Sequence, residues 1–269
     1  MHDYLDASQR KAVEALVELK QICDRHNIRF FLLAGSCLGA VRHKGMIPWD
    51  DDIDVGFLHD DWVKLKAILT SELGNGFSYI DQEIDPKYPR LFGKILFDNK
   101  PCVDLFLLSK WTTNNWKGLL HWRIRKFSVE GYKFSVKREK VVQRPGSSLY
   151  IRIKMRLVRI MRKIIFIILS PFVSSSWYLK IARKNEVCFE KLNSDYCYIN
   201  LYSVYSRHKE RLEKAWLEGT PSIVEFEGEL YNTVSDTDAY LKHLYGDYMT
   251  PPPEKERKKI HETRFGREI

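Results

Sequence analysis

Apolar residues recur every three or four positions over residues 6–26, with charged residues between them. This period is typical of an amphipathic helix, and we expect the helix to stop at Asn27. Residues 29–34 are a short apolar run that predicts a buried strand. The run leads directly into Gly35 and Ser36, so the predicted order is strand, glycine turn and helix start.

The next segments predict further strands and one helix. Residues 50–57 end in an alternation of acidic and apolar positions, which is typical of a strand. A helix is predicted from about residue 60 to residue 73. Two more strands are predicted at residues 91–97 and 102–108. The residues between them, 98–101, have the composition of a hairpin turn.

The chain divides into three parts by composition. Residues 1–115 carry these patterns, and they predict an α+β fold with a mixed sheet flanked by helices. Residues 116–185 are basic and partly apolar, and we interpret them as an insertion. Residues 186–269 are rich in Tyr, Lys and Glu, and they are predicted to form a C-terminal helical lobe with a charged tail.

The positive charge of the chain is concentrated in the insertion. The formal net charge is +9, and the stretch from Lys117 to Lys163 has fifteen Lys or Arg residues against two acids. The rest of the chain is acidic on balance. This asymmetry predicts an anionic partner for one region only.

The segment 149–173 has the pattern of a helix in a membrane interface. On such a helix four basic residues form one stripe and apolar residues form another. The four basic residues are Arg152, Arg156, Arg159 and Lys163. An anionic membrane surface is therefore a predicted partner. The alternative is an internal helix packed on the catalytic core, and nucleic acid ranks below both because the remaining chain is acidic.

The cysteines and the N-terminus favour the cytosol. Five cysteines form no CxxC pair, which suits a reducing compartment. Residues 1–20 are charged throughout and contain no apolar segment typical of a secretory signal. The longest apolar run, residues 164–173, is well short of the roughly 20 residues that cross a bilayer. We expect a cytoplasmic protein, peripheral on the cytosolic face of the membrane if the interface helix forms.

Aspartates dominate residues 50–54, where four of five positions carry a carboxylate. So much like charge on ordered backbone is unfavourable unless cations neutralise it. Because side chains alternate along a strand, Asp52 and Asp54 are expected to project to one face. Two neighbouring carboxylates are ligands that Mg²⁺ or Mn²⁺ accepts, so we predict a metal site there.

Asp104 interrupts an otherwise apolar strand. An unpaired ionised carboxylate is costly to bury, and a metal held by Asp52 and Asp54 would supply its partner. The alternative is a solvated carboxylate at a strand end. Gly35 and Ser36 add a second element, because a glycine-serine turn before a helix lets backbone N–H groups approach a phosphate closely.

Four segments carry a resemblance to a known family. They are FLLAGSCLGAVRHKGMIPWDDDIDV at 31–55, VDLF at 103–106, FEG at 226–228 and LYGDYMTPPP at 244–253. Together they resemble the signature of the LicD family of the nucleotidyltransferase superfamily, which includes bacterial phosphocholine transferases and fukutin-related ribitol-phosphate transferases. The resemblance implies a nucleotidyltransferase-like fold.

The resemblance also implies a reaction and roles for particular residues. A phospho-alcohol group, such as phosphocholine, would pass from a CDP-linked donor to a sugar hydroxyl of a cell-surface glycan or its lipid-linked precursor. Asp52 and Asp54 would hold Mg²⁺, while Asp104 would complete the metal site or accept the proton of the attacking hydroxyl. The residues implied in donor or phosphate binding are Gly35, Ser36, Arg42 and Lys94.

Two other functions fit the same residues. A nucleotidyltransferase would use the carboxylates to attack a nucleoside triphosphate and would differ only in the leaving group. A non-catalytic, membrane-associated scaffold would keep the fold without the reaction.

Overall fold

The computed structural model describes residues 4–136, 160–161, 164–169, 172–202, 206–254 and 257. The helices are α1 (Ala7–Arg25), α2 (Ala34–His43), α3 (His59–Glu72), α4 (Asn115–Val136), α5 (Ser175–Glu186), α6 (Lys214–Glu218) and α7 (Thr237–Tyr245). The strands are β1 (Phe31–Leu32), β2 (Ile53–Phe57), β3 (Phe77–Ile80), β4 (Gly93–Phe97), β5 (Lys100–Thr112), β6 (Tyr196–Asn200), β7 (Arg211–Leu212), β8 (Ser222–Phe226) and β9 (Glu229–Thr233). Residues 164–169 are also helical.

Seven strands form one mixed sheet around β5. The strand order is β1-β2-β5-β4-β3, and β6 joins the C-terminal half of β5 and pairs in turn with β7. Strands β2 and β5 are parallel, while the other pairs are antiparallel. The predicted α+β fold with a mixed sheet is confirmed.

The opening helix is confirmed as α1, and its start is fixed by a capping box. The Asp6 side chain accepts a hydrogen bond from the Gln9 N–H, and the Gln9 side chain accepts one from the Asp6 N–H. These bonds satisfy backbone donors that the first turn of a helix otherwise leaves free. The apolar face of α1 packs on the sheet.

The predicted hairpin turn between β4 and β5 is also confirmed. Phe97 pairs with Lys100, so the loop consists of Asp98 and Asn99 alone, with φ angles of 48° and 59°. Two positive φ angles define the turn type whose twist matches that of the flanking strands. Asp and Asn tolerate this left-handed conformation better than most residues.

The predicted glycine turn before α2 is wrong. Strand β1 has only two residues, and α2 begins at Ala34, so Gly35 and Ser36 lie in the first turn of the helix. The Leu33 N–H donates to the Asp54 carbonyl oxygen over 3.0 Å, which holds the start of α2 against β2. The helix therefore starts without an intervening turn.

The C-terminal part contains strands as well as helices. We expected a helical lobe from residue 186, but β6 and β7 extend the main sheet and β8 and β9 form a second, two-stranded sheet. All five residues of β6 are buried, so it lacks the alternation that identifies a half-exposed strand in a sequence. The division of the chain at residues 115 and 185 stays a prediction.

Helices α4 and α5 lie almost entirely within the predicted insertion. Helices α4 and α5 pack along each other. Most of the predicted interface segment 149–173 lies outside the described residues, including the four basic positions of its stripe. No helix in the described ranges is both long and apolar enough to cross a membrane.

Candidate active site

One row of charged side chains crosses three neighbouring strands. Asp54 on β2 lies directly opposite Asp104 on β5, and Asp104 lies opposite Lys94 on β4. Side chains at directly opposite positions project from the same face of a sheet, so these three groups converge. Asp52 precedes β2 by one residue and lies in the same group. The sheet thus brings together residues that are 52 positions apart in the sequence, from 52 to 104.

The three carboxylates are close enough to share one cation. One oxygen from each of Asp52, Asp54 and Asp104 lies within 4.8 Å of the others. Asp104 is 4% exposed and lies within β5, and its carboxylate is ion-paired with the Lys94 ammonium group. The alternative of a solvated carboxylate at a strand end is therefore wrong.

The electrostatics of the cluster favour a bound cation. Burial raises the pKa of Asp54 well above its ordinary value, and the negative charges of Asp52, Asp104 and Asp50 raise it further, while Lys94 lowers it. A group in this setting releases its proton readily only when another positive charge arrives. Three hard carboxylate oxygens are a suitable ligand set for Mg²⁺ or Mn²⁺, so the residues present fit the predicted metal.

Asp50 belongs to the site, although sequence reasoning did not assign it a role. A Cβ atom on Gly35 would lie 2.7 Å from the Asp50 Oδ2 atom, so only glycine permits this approach. Burial raises the pKa of Asp50 to about 8, and the charges of Asp52 and Asp51 contribute to the shift. The aspartate run itself was the signal in the sequence. Asp50 lies before the start of β2, so strand alternation does not predict the direction of its side chain.

Buried Gln9 fixes the loop that carries Asp50. Its side-chain amide donates to the Asp50 carbonyl oxygen over 2.7 Å and lies 3.3 Å from the Pro48 carbonyl oxygen. Gln9 itself is 1% exposed. Helix α1 therefore sets the position of the aspartate run relative to α2. The local sequence around Gln9 does not reveal this role.

Gly35 and Ser36 lie beside the carboxylates, as predicted. The Ser36 hydroxyl oxygen accepts a hydrogen bond from the Asp54 N–H over 2.8 Å, which leaves its O–H group able to donate. Within the ranges that the structure describes, no hydrogen bond uses the N–H groups of Gly35 and Ser36. Free N–H groups in the first turn of a helix favour an anion, so this end of α2 suits a phosphate.

Arg42 does not join the carboxylates. It lies in the last turn of α2, about 9 Å along the helix from Ser36. Its guanidinium donates to the Tyr248 carbonyl oxygen over 2.7 Å and lies 6.0 Å from the centre of the Trp49 ring. The guanidinium of Arg257 lies 5.1 Å from the same ring. A role for Arg42 in donor binding stays a prediction.

Tyr88 was missed by sequence reasoning. It lies in the loop between β3 and β4, and its buried hydroxyl has no hydrogen-bond partner among the described residues. Burial raises the pKa of Tyr88, the charge of Asp104 raises it further, and Arg90 lowers it. The Tyr132 hydroxyl on α4 lies 2.8 Å from the Tyr88 carbonyl oxygen and 3.0 Å from that of Pro86, so it anchors this loop.

Comparison with known proteins identifies the domain that carries this cluster. Residues 27–135 match the family described as LicD/FKTN/FKRP, nucleotidyltransferase domain. The lipopolysaccharide cholinephosphotransferase LicD of Haemophilus influenzae is 26% identical, over 89% of this chain and 89% of that protein.

Two other relatives match shorter stretches. Human ribitol 5-phosphate transferase FKRP is 35% identical over 54 residues, which are 20% of this chain and 11% of that protein. An uncharacterised protein of Rickettsia prowazekii is 31% identical over 97 residues, 36% of this chain and 33% of that protein. Residues 27–135 of the chain therefore form a nucleotidyltransferase domain of the LicD family, and this domain contains the whole carboxylate cluster.

Proposed function

We propose that this protein is a metal-dependent transferase that moves a phospho-alcohol group, such as phosphocholine, from a CDP-linked donor to a sugar hydroxyl of a cell-surface glycan. The observation that carries the proposal is the cluster of Asp52, Asp54 and Asp104 beside the free N–H groups of Gly35 and Ser36. Two relatives support this class of reaction. One is named for cholinephosphate transfer and the other for ribitol 5-phosphate transfer, and choline and ribitol are both alcohols.

The carboxylates and Lys94 have distinct tasks in this proposal. Asp52, Asp54 and Asp104 would hold Mg²⁺ or Mn²⁺. The bound ion would offset the negative charge of the donor diphosphate and of the nucleotide that leaves. The Lys94 ammonium group is ion-paired with the Asp104 carboxylate and holds it in position opposite Asp54.

The reaction exchanges one phosphorus–oxygen bond for another. The oxygen of the sugar hydroxyl bonds to the phosphorus that carries the alcohol, and the bond from this phosphorus to the oxygen of CMP breaks. The hydroxyl proton passes to a carboxylate of the cluster. The N–H groups of Gly35 and Ser36 donate to phosphate oxygens and hold the donor in line with the attacking hydroxyl.

Product analysis tests the proposal. The protein is incubated with Mg²⁺, a lipooligosaccharide acceptor and a panel of CDP-choline, CDP-ribitol and nucleoside triphosphates. We expect CMP to be released from a CDP-linked donor and the acceptor to gain the mass of the phospho-alcohol. Release of pyrophosphate from a triphosphate would instead identify a nucleotidyltransferase and overturn the proposal.

Matched variants connect the product to the cluster. Asp52→Asn and Asp54→Asn keep the side-chain shape and remove a charge, so CMP release should fall by at least about a thousandfold. Asp60→Asn makes the same change at a side chain that is 95% exposed, and it should leave the rate unchanged. Turnover that survives in both cluster variants would show that these carboxylates do not hold the metal.

A further inference from the structure

Helix α4 has its apolar side turned outward. Its buried positions are mostly small or polar: Gly118, Arg125, Ser128, Gly131 and Tyr132. Its exposed apolar side chains are Trp116, Leu120, Ile124 and Phe127, with exposed fractions of 84%, 58%, 38% and 40%. These four recur at helical spacing and form one stripe. A helix that faces only water and a protein core has the opposite arrangement.

Specific contacts fix the inner side of α4. Arg125 lies 3.9 Å from the carboxylate of Glu186 on α5, and its guanidinium lies 4.9 Å from the centre of the Tyr202 ring. His121 is hydrogen-bonded to the Asn185 side chain over 2.8 Å. A rotation of α4 that buried the stripe would break these contacts and bring buried charges to the surface. The outward orientation of the stripe is therefore built into the fold.

The helical residues 164–169 enlarge this surface. Phe166 is 5% exposed and packs on Phe127, with ring centres 5.2 Å apart. Its neighbours Ile164, Ile165 and Ile168 are exposed. The contact between Phe166 and Phe127 therefore places these exposed apolar side chains close to the stripe on α4. We refer to Trp116, Leu120, Ile124, Phe127, Ile164, Ile165 and Ile168 as the apolar surface.

Positive charges border the apolar surface. Lys117, Arg123 and Lys126 on α4 are exposed, and none of them has an ion pair in the described part of the chain. A shallow hollow of about 360 Å³ is lined by Trp116, Lys117, Leu119, Leu120 and Arg123. The hollow sets two cations beside apolar side chains, so it suits a ligand that has an anionic group next to hydrocarbon.

We propose that the apolar surface lies in the interface of a bilayer that contains anionic lipids, with Lys117 and Arg123 against the phosphate groups. Exposed tryptophan beside basic residues is typical of membrane interfaces. The proposed contact is peripheral, because the opposite side of α4 is packed within the protein. A second copy of the chain fits less well, because a symmetric contact brings the same cations together.

This contact would place the carboxylate cluster close to acceptors that are carried by lipids. This benefit for the acceptor rests on the proposed function. The membrane contact itself does not, since binding to a membrane does not require the transfer reaction. Tyr132 links α4 to the site, because it lies on the inner side of this helix and its hydroxyl hydrogen-bonds the loop that carries Tyr88.

Vesicle flotation in EDTA tests the membrane contact without any turnover. The full chain should float with vesicles of phosphatidylcholine and phosphatidylglycerol, and more weakly with phosphatidylcholine alone. Trp116→Ser with Leu120→Ser should weaken vesicle binding by roughly tenfold or more. Lys117→Gln with Arg123→Gln should remove the preference for anionic vesicles.

Two controls distinguish binding through the apolar surface from non-specific binding to lipid and from effects of catalysis. Ile223→Ser with Leu230→Ser alters side chains that are 59% and 61% exposed on β8 and β9, and it should bind vesicles as the unaltered protein does. Asp52→Asn should also float normally even though transfer is lost. A failure of the proposed function therefore leaves the flotation result intact.

Two outcomes would overturn the proposal. One is an unaltered protein that stays with the lipid-free fraction for both vesicle types, or a Trp116 and Leu120 variant that floats equally well. The other is a dimer in light scattering that the same variant converts to a monomer without any flotation of either, which would assign the surface to a second copy of the chain.

Discussion

At the scale of single residues, the environment of Tyr88 is unfavourable for a side chain that only packs. Its hydroxyl is buried without a hydrogen-bond partner among the described residues, and it lies near the charge of Asp104. A buried hydroxyl without a partner costs free energy, about 1–3 kcal/mol. We propose that this hydroxyl hydrogen-bonds an oxygen of the substrate, because such a bond would offset the cost.

Tyr88→Phe is therefore expected to separate activity from stability. The variant loses only the hydroxyl, so kcat/KM should fall by roughly tenfold while the melting temperature stays equal or rises. Steady-state kinetics and thermal unfolding measure the two effects. Tyr231→Phe removes another buried hydroxyl without a partner, on β9, and should leave kcat/KM unchanged. Equal kinetics in Tyr88→Phe and Tyr231→Phe would contradict a role for Tyr88.

Strand periodicity in the sequence identified the carboxylates on β2 and β5 and the one that directly precedes β2, but it missed the groups farther out on loops. Asp52, Asp54 and Asp104 followed from strand alternation and from the cost of a buried charge. Asp50 and Tyr88 depend on loops whose paths are set by Gln9 and by Tyr132. Hydrogen bonds between residues about 40 positions apart leave no local pattern in a sequence.

At the scale of elements, the site depends on the register of β2, β5 and β4. Lys94 and Asp104 are paired across two strands and are both buried. Removing one partner of a buried ion pair leaves an uncompensated charge, which costs more than the pair contributes. The hairpin of Asp98 and Asn99 and the register shift between Ile95 and Leu96 together set this pairing, so the site depends on the turn, the shift and the ion pair.

Lys94→Met tests this dependence. It should lower the free energy of unfolding by about 3 kcal/mol or more in EDTA, because it leaves the Asp104 carboxylate buried and unpaired. Chemical denaturation measures the loss. Lys20→Met removes an ion pair with Asp24 on the surface of α1 and should cost less than about 1 kcal/mol. Equal losses in the two variants would show that the buried pair does not anchor the register.

The elements were predictable where a local period or turn exists. The helix α1, the hairpin at Asp98 and the strands of the cluster all carry such signals. The strand β6 does not, because both of its faces are covered. Arg42 carries no such signal. Six residues of α2 separate it from Ser36 by about 9 Å, and its role in donor binding stays a prediction.

At the scale of the whole molecule, helix α4 connects two surfaces. It presents apolar side chains outward, and on its inner side Tyr132 holds the loop of Tyr88. A helix of this kind appears in the sequence only as a basic segment with interleaved aromatic residues. The direction in which its apolar stripe points depends on buried contacts such as Arg125 with Glu186, which no local pattern predicts.

We propose that Asp52, Asp54 and Asp104 together hold a divalent cation. Equilibrium binding of Mn²⁺, followed by electron paramagnetic resonance, tests it without knowledge of donor or acceptor. The unaltered protein should bind Mn²⁺, with affinity that falls at lower pH because protons compete for Asp54, whose pKa is raised. Asp54→Asn and Asp104→Asn should lose at least about tenfold in affinity, and Asp60→Asn should lose none. Unchanged Mn²⁺ binding in both cluster variants would contradict the claim.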